Sequence, residues 1–435
     1  VTKSLLNSKW FSRLQEFSQL IVGFSGGLDS TVLLHVLADT PELRHKLLAV
    51  HINHGINPKG LDWQHHCEQW CLNLGISFIS HSVQFDRRAN IENRARNARY
   101  HVFSSLVNKK TCLILGHHLN DQAETMLLQL FRGTGIDGLS AMSEVSTVGS
   151  GALLRPFLSY PREYLESYAS LHGLKWIEDE SNEDINYSRN YVRHQIMPLL
   201  VEKWPGVVEN ISRAASHCQQ AKANLSDLAM QDSPDLVSAS NTLFVEPLKK
   251  LSGERITNVL RVWLKKNQVE LPSSRTFQRL IDEMVFARSD AQSLVSWDDI
   301  QIHCYQGTLY LGKKEVINSY VSMNWITFPS PVVLGNGLTS LVAHQAREGL
   351  IIPIRAKIVI SFRQGGELFF WHGQTKQLKK LFQEWKIPPW QRDKVPLLYI
   401  NDQLAAVIGY AISDLFYSRV SGWQFTLSSE TPAKI

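Results

Sequence analysis

Residues 21–31, IVGFSGGLDST, restrict the fold more than any other stretch of this chain. Ile21, Val22 and Phe24 are β-branched or aromatic and read as a buried strand, while Thr31 opens the run VLLHVLA, which has helical spacing. Between them, Gly26 and Gly27 remove two Cβ atoms where the backbone has to bend and approach another group closely. A strand, a glycine turn and a helix start leave the first helical amides facing the turn, an arrangement that suits an anion. Ser25 or Asp29 acting as a plain helix cap accounts for the same residues. The phosphate loop of kinases and GTPases does not, because it needs a lysine after its last glycine, and Leu28 and Asp29 stand there instead.

The pattern then repeats. LLAVHIN (47–53), SFISHSV (77–83) and TCLILGHH (111–118) are further strand-like stretches separated by helix-like sequence. Such alternation predicts a parallel sheet with helices on both faces and ligands at the carboxyl ends of the strands. At 435 residues the chain exceeds one ordinary core. A linker helix, VVENISRAASHCQQAKANLSDLAM, closes a first domain over 1–218. A mainly helical middle domain with a hairpin-like end, SLVSWDDIQIHCYQGTLYLGK, follows over 225–318. PSPVVLGNGLTS reads as a loop region, and a small α+β domain over 345–435 contains a hairpin around Asn401 and Asp402.

No stretch has the apolar length to span a bilayer, and VTKSLLNSKWF lacks the apolar centre of a secretion signal. Five cysteines in a chain of this size do not form a disulfide framework, and Cys67 and Cys71, one helical turn apart beside Trp70 and Leu74, are expected to pack. The expected location is the cytoplasm, with no membrane partner. The net charge of +5 is unevenly placed, since residues 355–394 hold nine lysines and arginines against three acids. Phe369, Phe370, Trp371, Trp385 and Trp390 lie among those charges, which suits a nucleic-acid backbone; a solvated charged helix over an aromatic core fits equally well.

Four further stretches carry candidate chemistry. HINHG, with His51 and Asn53, follows a strand where a loop can lie along an adenine; its histidines have no third ligand at a zinc-like spacing. In IENRARNARY, Arg96 and Arg99 lie one turn apart, opposite Ile91, Ala95, Ala98 and Val102, and an arginine there can offset charge on a departing phosphate. GHHLNDQAET opens with Gly116 and places Asp121 and Glu124 at the D-x-x-E spacing of a capping box. The same spacing sets two carboxylates side by side at a strand end, where they suit an ammonium group or can accept its proton. DESNEDINYSRNYVRHQIMPLL gathers Asp179, Ser181, Asn182, Arg189, Asn190 and Arg193 just before Pro198.

SGGLDS resembles the signature of the N-type ATP pyrophosphatases, which split ATP between its α and β phosphates. The wider motif series resembles one branch of that family, the tRNA(Ile)-lysidine synthetases: VHINHG (50–55), E-x-x-A-R-x-x-R-Y from Glu92, GHHLNDQAET (116–125), RGTGIDGLSAM (132–142), RPFL (155–158), DESN with YSRNYVR (187–193). In the tail, FRQGG and KQLKKLFQEWKIPPWQRDKVPL resemble that branch's C-terminal domain, whereas the middle domain matches mainly in length and position.

The resemblance implies an adenine-nucleotide alpha-hydrolase-like fold. It also implies a ligase that uses ATP and magnesium to adenylate the wobble cytidine of a CAU-anticodon isoleucine tRNA and then attaches free lysine. By similarity, Ser25, Gly26, Gly27, Asp29 and Ser30 hold phosphate, with Asp29 toward the metal and Arg96 in support; His51, Asn53 and Gly116 line the nucleotide. Asp29, Asp121, Glu124 and Arg193 are the expected catalytic groups, with Asp121, Glu124 and Arg193 forming the lysine site and Arg189 a further candidate. Lys379 and Lys380 in the basic tail are expected to grip RNA. A homodimer is compatible with the sequence. The rival readings are a tRNA thiolase, which would need reactive cysteines, an amide-forming pyrophosphatase of small metabolites, and a non-enzymatic RNA-binding protein.

Overall fold

A computed structural model describes residues 5–55, 57–84, 91–237, 240–287, 293–314, 321–334 and 339–428. The chain divides into two compact units, Val1–Gln231 and Asp232–Ile435.

The first unit is built on a six-stranded sheet. Its strands are β1 (Gln19–Gly23), β2 (Leu47–Asn53), β3 (Ser77–Ser82), β4 (Thr111–Ile114), β5 (Val145–Val148) and β6 (Gly151–Leu154), in spatial order β3-β2-β1-β4-β6-β5. All neighbours pair in parallel except β5, which runs antiparallel along β6 at the edge. Central β1 is covered on both faces, which is why its sequence is continuously apolar. Leu20 and Val22 join one core with Leu33, Leu37 and Trp10, while Ile21 joins the other with Val50, Phe103 and Leu113. The helix Leu28–Ala38 belongs to the first face and Ile91–Leu106 contributes Phe103 to the second.

The chain moves outward from β1 through β2 to β3 and then returns to place β4 on β1's other flank. That reversal opens a crevice at the carboxyl ends of β1 and β4, the place where open α/β sheets bind ligands. The glycine turn follows β1 and the 116–118 turn follows β4, so two of the sequence motifs meet there.

One predicted boundary shifts and one hairpin is added. The fourth strand stops at Ile114 rather than 118, because His117 and His118 lead into the helix Leu119–Phe131. The edge hairpin β5–β6 extends the sheet beyond the four strands expected. The linker helix forms over Val207–Asp232, and its Gln219 side chain donates to the carbonyls of Ser140 at 2.9 Å and Met142 at 2.8 Å, holding it to the first unit.

In the second unit, helices Gly253–Lys266 and Ser274–Leu280 accompany a four-stranded antiparallel sheet containing the expected hairpin, Ile300–Tyr305 with Thr308–Lys313. PSPVVLGNGLTS is not a plain loop: Val332 and Val333 pair with Leu341 and Ser340, starting a five-stranded sheet that Gly422–Ser428 completes; residues 335–338 lie outside the described ones. The hairpin at Asn401 and Asp402 forms as read, both residues having positive φ (47° and 64°) between Leu397–Ile400 and Gln403–Val407.

Candidate functional site

At the nucleotide end, the two glycines have different reasons to be glycine. Gly26 turns with φ of 85°, and a Cβ there would come within 2.7 Å of Ile177 Cδ1 and 2.9 Å of Cys67 Sγ. Its carbonyl accepts the Ile177 amide at 2.8 Å. Gly27 has φ of −75°, and a Cβ there would meet nothing nearer than Ser25 Oγ at 3.6 Å. Its surroundings in the chain tolerate a side chain; a ligand drawn against the backbone would not. Ser30 Oγ donates to the Gly27 carbonyl at 3.0 Å and accepts the Ser25 amide at 3.2 Å, bracing the turn. The helix Leu28–Ala38 starts at Gly27 with no side-chain cap, so Ser25 and Asp29 are not caps and the first-turn amides remain available to an anion.

Asp29 Oδ1 is buried without a hydrogen-bond partner, and Oδ2 lies 3.7 Å from His118 Nε2. Burial pushes this carboxyl above its ordinary value, against the pull of His118. An unmet carboxylate oxygen fits magnesium, which commonly takes one or two carboxylates and completes its shell with phosphates and water. Among the described residues no three His, Cys, Asp or Glu side chains form a metal cage, and magnesium held this way needs none. Gly116 approaches from β4: a Cβ would lie 2.8 Å from the Asp29 carbonyl oxygen, so the glycine permits close packing of the two turns.

Other predicted nucleotide residues are engaged differently. His51 Nδ1 donates to the Phe24 carbonyl at 3.0 Å, and burial lowers its pKa, so the ring is neutral and Nε2 is left as an acceptor. Asn53 Oδ1 accepts the Gly55 amide at 2.8 Å and so shapes its own loop. Arg96 lies over the Tyr100 ring at 4.9 Å and donates to Tyr100 Oη at 3.4 Å; among the described residues its polar contact is there and not at the glycine turn.

At the other end, the capping box exists three residues earlier than D-x-x-E suggests. His118 is the N-cap of Leu119–Phe131: its Nδ1 accepts the Asp121 amide at 3.4 Å, and Asp121 Oδ2 accepts the His118 amide at 3.0 Å. Glu124 takes no part in the cap. Asp121 and Glu124 do lie side by side, yet they are not bare. Arg189 donates to Glu124 Oε2 at 2.9 Å and Asp121 Oδ1 at 2.7 Å. Arg193 donates to Glu124 Oε1 at 2.6 Å and Asp121 Oδ1 at 3.1 Å. The arginines sit four residues apart across a helix, Ser188–Tyr191, that widens to a π-turn at Val192–Ile196, and both reach the acids. Burial pushes the Asp121 carboxyl up, but His118, Arg189 and His117 outweigh it and hold it far below its ordinary value. Asp121 is therefore a fixed anion and a poor proton acceptor.

Three residues at this site were not singled out by sequence reasoning. His118 sits between Asp29 and Asp121. Arg155, 5% exposed, donates to His117 Nδ1 at 3.3 Å and to the Ser143 carbonyl at 2.7 Å; its position just after a strand end was the available signal. Arg162 borders a pocket of ≈ 230 Å³ together with Glu124 and Arg193, walled by Met197, Pro198, Val201 and Val208.

In the second unit the basic aromatic segment separates into inside and outside. Phe369 is fully buried, Trp390 stacks on His303 at 4.1 Å, and buried Arg392 donates to the Ile387 carbonyl at 2.9 Å. Lys379 and Lys380 are exposed on the helix Leu378–Glu384, whose Leu378, Leu381 and Phe382 face the core. The packing role expected for Cys67 and Cys71 agrees with their full burial, and burial pushes both thiols up to about 12.

Comparison with known proteins follows the same division. A PP-loop domain model matches residues 2–200, a TilS substrate binding domain model 243–310 and a TilS substrate C-terminal domain model 358–426. A tRNA(Ile)-lysidine synthase of Legionella pneumophila (strain Philadelphia 1) is 62% identical over 418 residues, 96% of each chain. That of Coxiella burnetii is 39% identical over 433 residues, covering 98% of this chain and 96% of the relative. Among solved structures, the U34-tRNA thiolase NcsA from Methanococcus maripaludis aligns with a TM-score of 0.41 at 18% identity, covering 49% of this chain and 75% of its own.

Proposed function

The chain belongs to the tRNA(Ile)-lysidine synthase family, and from that premise we propose how its residues divide the reaction. It is a ligase. In the first step the C2 carbonyl oxygen of the wobble cytidine in a CAU anticodon attacks the α-phosphorus of ATP and pyrophosphate leaves. In the second, the ε-amine of free lysine bonds to C2 and AMP departs. A urea-like carbonyl is a poor electrophile, so adenylation supplies the leaving group, and holding the amine beside it removes a bimolecular encounter.

Ser25, Gly26, Gly27 and Ser30 hold the phosphates through the turn and the uncapped helix start, and the neutral His51 offers Nε2 toward the base. Asp29 is the residue that would hold magnesium, which when bound neutralises charge on the phosphate oxygens. Asp121 and Glu124 attract the ammonium groups of lysine, Arg162 and Arg193 its carboxylate, and the Met197–Val208 wall its methylenes. Because lysine and the arginines compete for the same acids, Arg189 yields when lysine enters. The two protons that the lysine nitrogen sheds pass to water, since Asp121 is too weak a base.

A wobble base has to be splayed from its stack to enter this crevice. We take residues 1–218 as the catalytic domain, 225–318 as the middle domain and 345–435 as the tail, with Lys379 and Lys380 providing a second hold on the tRNA backbone. The reaction places the protein where tRNA and ATP are, the cytoplasm; no described helix is long and apolar enough to cross a membrane. Every group named comes from one chain, so a homodimer is not needed for this chemistry.

The observation that carries the reading is the juxtaposition, across His118, of an unmet Asp29 carboxylate with the Asp121–Glu124 pair. Thiols raised to about 12 suit packing better than the sulfur transfer of a thiolase. The test incubates the protein with ATP, labelled lysine and tRNA transcripts. Label should enter RNA only when the anticodon is CAU. Pyrophosphate release without transfer, or with a small metabolite alone, would defeat the assignment.

A further inference from the structure

His118 is 1% exposed, and its ring is oriented by its cap. Nδ1 accepts the Asp121 amide, so that nitrogen is bare and the ring proton sits on Nε2. The Nε2–H has no hydrogen-bond partner; Asp121 Oδ2 lies 3.5 Å away on one side and Asp29 Oδ2 3.7 Å away on the other. Asp29 Oδ1 across from it is also unmet. A buried donor and a buried acceptor left open side by side ask for one kind of ligand: an oxygen that accepts the N–H, accompanied by a cation for the carboxylate. A phosphate-ester oxygen with its counter-ion meets both demands. Histidine is also an unusual N-cap, since Asn, Asp and Ser fill that position better when capping is all that is required.

We propose that His118 is a catalytic residue whose Nε2–H donates to the oxygen linking C2 of the activated pyrimidine to the α-phosphorus. The proposal rests on the two-step reading above. In the second step the amine lone pair forms the N–C2 bond, the C2–O bond breaks, and its electron pair stays on that oxygen, which leaves in AMP. One proton of the lysine ammonium goes to water before attack, and a second leaves the nitrogen for water once the N–C2 bond has formed. Negative charge develops beside the His118 N–H, which transfers no proton and acts as a preorganised donor. In the first step the same oxygen is the nucleophile and loses electron density, so a donor there gives no comparable help. The two steps should therefore depend on His118 unequally.

His118→Asn and His118→Ser retain a capping oxygen and remove the reach of the imidazole. Single-turnover assays with CAU tRNA would follow adenylated tRNA and its consumption by lysine separately, alongside the thermal midpoint. The expected result is lysine transfer slower by about 100-fold relative to adenylation, with adenylated tRNA accumulating and the midpoint retained. The Ser variant serves if the Asn variant does not fold. Equal loss in both steps, or loss in neither, would leave His118 as a cap and overturn the proposal. A parent enzyme that never forms adenylated CAU tRNA would instead sink the two-step reading itself.

Discussion

Arg193 and Glu124, 69 residues apart in the chain, meet through two parallel hydrogen bonds, Nε to Oε1 at 2.6 Å and Nη2 to Oε2 at 3.0 Å. With Arg189 and Asp121 they form a cluster of two charges of each sign, and the acid side chains are only 3% and 9% exposed. Removing one partner from such a cluster leaves a buried charge unmet. Arg193→Ala should therefore lose about 3–5 kcal/mol of unfolding free energy in urea, and Arg193→Lys, which lacks the planar fork, should recover only part of it. A loss below about 1 kcal/mol would mean the cluster is not structural.

The glycine pair separates folding from ligand binding. Gly26→Ala adds a methyl against Ile177 and Cys67 at a φ of 85° and should destabilise by about 1–3 kcal/mol. Gly27→Ala finds ordinary contacts and an allowed φ, so its thermal midpoint should hold, while its ATP KM should rise at least about tenfold because the methyl fills the approach of a phosphate. An unchanged ATP KM in Gly27→Ala would remove the turn from the nucleotide site.

Acid sensitivity should trace in part to His117. Burial lowers its pKa from 6.5 to about 3, with Asp121 opposing and Arg155, Arg189 and Arg99 reinforcing the shift. The folded state thus favours the neutral ring. Its contribution is complete above pH 6.5 and is lost as pH falls from 6.5 toward 3, at up to about 1.4 kcal/mol per pH unit. Urea unfolding between pH 7 and 5 should show a shallower decline for His117→Gln than for the parent; parallel declines would assign the sensitivity elsewhere.

Lys379 and Lys380 are exposed on the helix whose opposite face is core. Reversing both to Glu should weaken tRNA binding by at least about tenfold at moderate salt and lower the slope of log K against log salt by about two, with ATP binding unaltered. If the tRNA constants do not move, the tail holds RNA through other groups.

Much of the N-terminal fold was legible because it depends on local chemistry. β-branched runs make β1 and β2, paired glycines make the turn, and alternation makes a parallel sheet with its crevice at the strand ends. The i,i+3 and i,i+4 spacings put Asp121 beside Glu124 and Arg189 beside Arg193, each pair on its own helix. The short edge hairpin β5–β6 escaped notice, since four-residue strands carry little periodic signal.

What the amino-acid order determined by itself was therefore which residues lie on which turn or helix face, because neighbours within four positions decide that. Only the tertiary structure decided that the two acids and the two arginines neutralise one another, that His118 caps its helix while facing Asp29, that Gly26 is pressed against Ile177 and Cys67 while Gly27 has room for a methyl at ordinary contact distance, and that Trp390 turns inward while Lys379 and Lys380 face solvent. Those outcomes depend on burial and on pairings across tens of residues, where desolvation makes charge cancellation compulsory, and no periodicity in the sequence encodes the partner.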